Sequence, residues 1–166
     1  DKKDLALIIS EKKASAACVY TQNLVKGAPI FVTRDNVSDG YAQAVICNSG
    51  NANTCNADGL EIAEAMAALV EKATGVKSND VVVASTGVIG QPLNLTPIQN
   101  GMEALAKDLT AENGHYAAEA IMTTDTVPKQ AAVEMELGGK TVTIGAICKG
   151  AGMIAPNMGT MLCFVT

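Results

Sequence analysis

The sequence predicts a layered fold of the α/β (α+β) class, with mixed sheets and helices packed outside them. Three observations carry that reading. Short β-branched runs recur at residues 4–10, 42–47 and 80–85. Between them lie stretches whose apolar residues fall three and four apart, the period of a helix with one buried face. Finally, 48% of residues are hydrophobic and 17% charged, enough apolar material for a continuous core. With no Trp, two Phe and three Tyr, that core must be built from Ala, Val, Ile, Leu and Met.

Taken in order, residues 4–10 and 17–21 read as strands, and 29–33 as a third short β run. Residues 42–47 form a continuous apolar strand that ends in Asn48-Ser49-Gly50-Asn51-Ala52-Asn53-Thr54, the composition of a tight loop. A helix follows. Asp58 and Glu61 have capping-box spacing, Ile62, Met66, Leu69 and Ala73 form its apolar face, and Gly75 supplies the stop. Residues 80–85 are a buried strand that feeds Ser85-Thr86-Gly87-Val88-Ile89-Gly90. The next helix opens with Thr96 as N-cap, Pro97 in the first turn and Gln99 closing the box, and it buries Ile98, Met102, Leu105 and Leu109. A shorter helix over 116–122 ends in Thr123-Thr124-Asp125-Thr126. Residues 131–137 and 141–147 alternate as strands around a Gly138-Gly139 hairpin turn. No internal repeat or linker is visible. The chain opens on Asp1 and stops just after an apolar run at 161–166, so both ends read as cut and the sequence as a fragment.

Several function classes fall away on composition. The net charge is −5, and no Lys/Arg run or aromatic platform is present for nucleic acid. Every apolar stretch is shorter than the ~18 residues a membrane span needs, and no signal peptide opens the chain. The five cysteines (Cys18, Cys47, Cys55, Cys148, Cys163) form no C-x-x-C pair, and His115 is the one histidine, so no metal site is expected. The thiols are read as reduced, mostly buried and cytoplasmic.

The most unusual segment runs from Lys149 to Thr160: Lys-Gly-Ala-Gly-Met-Ile-Ala-Pro-Asn-Met-Gly-Thr. Gly150, Gly152 and Ala155 fit a dinucleotide fingerprint, but Pro156 would break the helix that must face the pyrophosphate. A different chemistry rests on Gly159-Thr160. There a threonine hydroxyl could attack the preceding carbonyl, and hydrolysis of the ester would free an N-terminal threonine. The new α-amine, with an ordinary pKa of about 7.7–8.0, can act as base for its own hydroxyl. A Gly-Thr pair taken alone reads equally well as an ordinary turn.

Four blocks resemble the signatures of one family: residues 48–53, 85–90, 122–126 and 149–162. That family is the arginine-biosynthesis ornithine acetyltransferases, also called glutamate N-acetyltransferases, and the resemblance covers essentially the whole chain. It implies a self-cleaving fold related to an aminopeptidase family. The precursor would cut itself between Gly159 and Thr160. Residues 1–166 would then be the α-subunit part of a larger enzyme, with 1–159 the mature α chain and 160–166 the start of β. The α and β subunits would stay together, as an αβ pair that dimerises to α2β2. Thr160 would be the nucleophile that carries acetyl from N2-acetylornithine to glutamate. Thr86 and Gly87 match the oxyanion hole, and Thr123, Lys149 and Thr160 match substrate-contacting positions. No cofactor is implied, although acetyl-CoA serves some family members as donor. Without the β half, the fragment is expected to be inactive. Two other readings stay open on the residues alone: a related self-cleaving aminopeptidase or amidase, and a non-enzymatic module whose Gly-rich loops are only turns.

Overall fold

The computed structural model describes residues 2–152, 158 and 160–166. In chain order the elements are β1 Leu5–Ser15, α1 Ala28–Asn36, β2 Tyr41–Asn51, α2 Gly59–Thr74, β3 Val81–Val88, α3 Leu95–Lys107, α4 Gly114–Ala120, β4 Lys129–Leu137, β5 Lys140–Lys149 and β6 Leu162–Val165. Two three-stranded sheets result, ordered β1-β2-β3 and β4-β5-β6. In the first, β1 runs antiparallel to β2 and β3 parallel to it. Parallel neighbours need a long crossover, and α2 provides it. The second sheet is wholly antiparallel.

Alternation along the first sheet explains how the layers stack. Leu7, Ile46, Val81 and Val83 point to one face and pack with Met66 and Val70 of α2 and Ile98 and Met102 of α3. Their neighbours Ala6, Cys47 and Ala84 point the other way, against Ala120, Ile121, Ile147, Leu162 and Phe164. Large side chains face the helices and small ones face the second sheet. The expected mixed sheet with outer helices is present. However, α4 and the residue after it lie in the layer between the sheets rather than outside.

Two strand readings of the sequence are corrected. Residues 29–33 belong to α1, not to a strand: Pro29 sits in the first turn, and Pro29, Val32 and Thr33 are buried at helical spacing. Tertiary contacts hold this helix in place of its β propensity. The Thr33 hydroxyl donates to the Val83 carbonyl and accepts from the Val83 N–H, both at 2.8 Å, and Asn36 Nδ2 donates to the Val81 carbonyl at 2.8 Å. These side chains satisfy the free edge of β3, the role another strand would otherwise take. Residues 17–21 form no strand, and Val19 there is 85% exposed.

The helix caps also differ from the sequence reading. Asp58 precedes α2 but makes no side-chain cap bond, so no capping box forms, whereas Gly75 does end the helix at φ 81°. The buried stripe of α2 is Ala63, Met66, Ala67 and Val70; Ala73 is exposed. The N-cap of α3 is Asn94, whose Oδ1 accepts from the Thr96 N–H at 3.1 Å. Leu109 lies beyond that helix and is exposed. The hairpin at Gly138-Gly139 is as expected, with φ of 59° and 75° at the two glycines.

Candidate active site

The expected loop at 48–54 is partly strand. Asn48, Ser49 and Gly50 continue β2 in parallel register with Ser85, Thr86 and Gly87 of β3. The two segments then stay bonded, from the Ala52 N–H to the Val88 carbonyl and from the Gly90 N–H to the Thr54 carbonyl, each at 2.9 Å. Gly87 has φ 134°, and a Cβ there would overlap the Gly50 carbonyl carbon and lie 2.5 Å from the Asn51 nitrogen. Only glycine permits this approach of the two strand ends. Thr86 is 1% exposed and shares the Ala84 face by alternation, so its side chain points toward the second sheet. Buried nearby, Asn48 Oδ1, Ser49 Oγ and Ser85 Oγ have no hydrogen-bond partner among the described residues. A parallel pair with a polar cluster at its carboxyl ends is the usual placing of a ligand site in α/β sheets.

The other expected residues gather across the layer. Lys149 ends β5 on the face of Ile147 and is 2% exposed, so it is no surface lysine. Its ammonium donates to the Gly150 carbonyl at 2.6 Å and the Thr160 carbonyl at 2.9 Å. Burial lowers its pKa, and the charge of Asp125 opposes that shift. Cys47 is buried on β2, which pushes its thiol up to about 12 although the Lys149 charge pulls the other way.

Asp125 received no role from the sequence, yet it organises this corner. Its Oδ1 accepts from the Gly150 N–H at 2.9 Å and from Lys129 Nζ at 2.6 Å. Burial by itself would raise its pKa, but these two donors outweigh it and hold the carboxyl at about 2. Thr124 packs so tightly on Gly152 that a Cβ there would meet its hydroxyl at 2.5 Å. The 123–126 turn and the start of the Gly-rich segment are thereby locked together. A lone lysine closing an inward-facing strand register is the signal that could have pointed to a nearby carboxylate.

Thr123 is half-buried in that turn, with its carbonyl accepting from Lys2 Nζ at 3.4 Å. Thr160 is half-buried and has φ 32°, in the left-handed region. For a β-branched residue that conformation costs on the order of 1–3 kcal/mol. Gly159, Pro156 and the fingerprint position Ala155 lie outside the described residues. The four loops thus form two pairs, 48–54 with 85–90 and 123–126 with 149–152, and both pairs border the layer between the sheets.

A cleft of about 660 Å³ lies on the helix side, between α3 and the Leu5 end of β1, lined by Asn48, Asn51, Leu93 and Ile98. A smaller one of about 280 Å³ adjoins Asp125, between Lys2, Glu119 and Met122. The thiols are less buried than expected: Cys47 is buried, Cys18 and Cys148 are half-buried, and Cys55 and Cys163 are exposed. Among the described residues, no helix is long and apolar enough to cross a membrane.

Sequence and structure comparisons agree on one group of proteins. A family model described as the ArgJ family matches residues 1–166. The chain is 55% identical over 166 residues to the arginine biosynthesis bifunctional protein ArgJ of Symbiobacterium thermophilum, covering 99% of this chain and 41% of that protein. Against the ArgJ protein of Geobacter sulfurreducens it is 47% identical, covering 98% of this chain and 42% of the other. It therefore spans about two fifths of the length of these curated relatives. The fold resembles the crystal structure of the ArgJ protein of Bacillus halodurans, with TM-score 0.88 and 42% identity over 98% of this chain and 84% of that one. It also resembles the ornithine acetyltransferase of Mycobacterium tuberculosis solved with ornithine, with TM-score 0.85 and 39% identity over 92% of this chain and 82% of that one.

Proposed function

Because the chain belongs to the ArgJ family, we propose that the whole protein is an arginine-biosynthesis acetyltransferase that cuts itself before Thr160. It then carries acetyl from N2-acetylornithine to glutamate on the Thr160 hydroxyl. The observation that carries this reading is the grip of buried Lys149 on the carbonyl of a strained Thr160. The strained torsion runs about the Thr160 N–Cα bond and is defined by the Gly159 carbonyl carbon. Breaking the Gly159–Thr160 peptide abolishes that constraint, so the strain favours the cut. The hydroxyl attacks the Gly159 carbonyl, the C–N bond breaks to leave an ester, and water hydrolyses the ester to a Gly159 carboxylate and a free Thr160 amine.

That amine then serves as base. It takes the proton of the Thr160 hydroxyl as the oxygen attacks the acetyl carbonyl of the donor, and returns it to the departing ornithine nitrogen. Glutamate's amine reverses the step and leaves as the N-acetyl product. Each attack places negative charge on the acetyl oxygen, which the Thr86 hydroxyl and Gly87 N–H would stabilise. Loss of one such donor costs on the order of 10²–10³ in rate. Lys149 supplies a positive charge for a substrate carboxylate, and Thr123 supplies hydrogen bonding beside it. After cleavage β6 belongs to the downstream piece yet stays paired to β5 from Leu162 to Val165, which keeps the new terminus at Lys149. The reading extends to an αβ pair, with α from residues 1–159, that associates as α2β2, and to acetyl-CoA as a second donor.

N-terminal sequencing of the full-length product tests the reading. Two pieces are expected, the second beginning at Thr160, and the Thr160→Ala protein should stay whole and transfer no acetyl. Full acetyl transfer by that variant would end the proposal.

A further inference from the structure

Two of the five cysteines face each other across a pair of strands, and neither takes part in the chemistry proposed above. In the register of β5 and β6, Cys148 stands directly opposite Cys163. The hydrogen bonds between these strands identify the kind of pair. Gly145 and Thr166 exchange both of their backbone bonds, each at 2.8 Å, and so form a hydrogen-bonded pair. Antiparallel pairs alternate in type, so 146 with 165 is non-bonded, 147 with 164 bonded, and 148 with 163 non-bonded.

Non-bonded pairs are the narrow ones, with Cα atoms about 4.5 Å apart and side chains on the same face in contact. Disulfides span Cα separations from about 4.4 to about 6.8 Å. Burial raises the Cys163 thiol pKa, and the facing Cys148 adds to that shift. Cys163 is exposed and Cys148 half-buried. Both point to the outer face of the second sheet, away from Ile147, Lys149 and Leu162.

We propose that Cys148 and Cys163 are a thiol pair that closes to a disulfide by exchange with a small disulfide such as oxidised glutathione. Resting on cleavage before Thr160, that bond becomes a covalent tie between the upstream and downstream pieces. The chemistry balances in two steps. The Cys163 thiolate attacks one sulfur of oxidised glutathione and expels one glutathione thiolate, leaving a mixed disulfide. The Cys148 thiolate then attacks the Cys163 sulfur and expels the second. Two thiols are oxidised and one glutathione disulfide is reduced to two thiols, with each cysteine proton passing to a departing glutathione. Because the thiolate is the attacking species, closure speeds up as pH rises toward the raised Cys163 pKa.

The test uses the full-length protein, incubated with oxidised glutathione, alkylated and digested without reductant. A peptide joining Cys148 to Cys163 is expected, absent from the Cys163→Ser protein. On a non-reducing gel the two pieces should run as one band that a reductant separates. The Thr160→Ala protein should yield the same joined peptide from an uncut chain, so failure of the cleavage reading and failure of the thiol pair are separately visible. If the native protein gives only glutathione adducts, or joins other cysteines instead, the proposal is overturned.

Discussion

The ammonium of Lys149, 2% exposed, is a costly group to bury. Two carbonyl oxygens occupy two of its three N–H donors, and Asp125 lies close enough to oppose the fall in its pKa. Asp125 in turn depends on Lys129 and the Gly150 N–H, which bring its pKa from 3.8 to about 2 against the effect of burial. The sign of the linkage follows from that direction. A carboxyl whose pKa falls on folding adds stability above its ordinary pKa and loses it as pH drops through the folded value. The shift corresponds to on the order of 2 kcal/mol, present above about pH 4 and gone near pH 2. In urea unfolding of the full-length protein, the wild type should therefore lose that much more stability than Asp125→Asn as pH falls from 4 to 2. Parallel pH profiles would remove Asp125 as the anchor of the Gly-rich segment.

At the scale of elements, the caps separate what a sequence pattern suggests from what the backbone uses. Asp58 looks like a capping residue and bonds nothing, while Asn94 holds the Thr96 N–H. Asn94→Ala should cost about 1 kcal/mol in urea unfolding and Asp58→Ala only a few tenths. Equal losses would restore the capping box.

The same contrast shows what was legible in the sequence. Long periodic stretches declared themselves, as in α2 with Met66 at its centre and the hairpin around Gly138-Gly139. Blocks of unusual composition marked the loops, but Thr86, Gly87, Thr123, Lys149 and Thr160 could be named only because those blocks resemble one family. Residues 29–33 misled because their β-branched composition is a local property. Their helical state depends on Thr33 and Asn36 reaching the edge of β3, 45 to 50 residues away. Asp125 was visible as a member of a Thr-rich block, but its importance comes from facing Gly150 across the fold.

For the molecule as a whole, the spacing of the two sheets decides whether Thr86 and Lys149 border one layer. Ala6, Cys47 and Ala84 keep the facing surface of the first sheet low, and Ile121, Ile147, Leu162 and Phe164 fill against it. Val83, one residue away, faces the helices instead. Enlarging either position overpacks a core at a cost of about 1–3 kcal/mol, but only one of them pushes the sheets apart. Ala84→Leu should therefore slow self-cleavage of the full-length protein well beyond its loss of thermal stability. Val83→Leu should lower the melting temperature by a similar amount and leave the cleavage rate near wild type. Time courses read on denaturing gels, beside melts of the uncut Thr160→Ala protein carrying each change, make the comparison at matched stability. If the two substitutions slow cleavage equally, inter-sheet spacing does not set the geometry around Thr160, and the cut depends on the local strain of its loop alone.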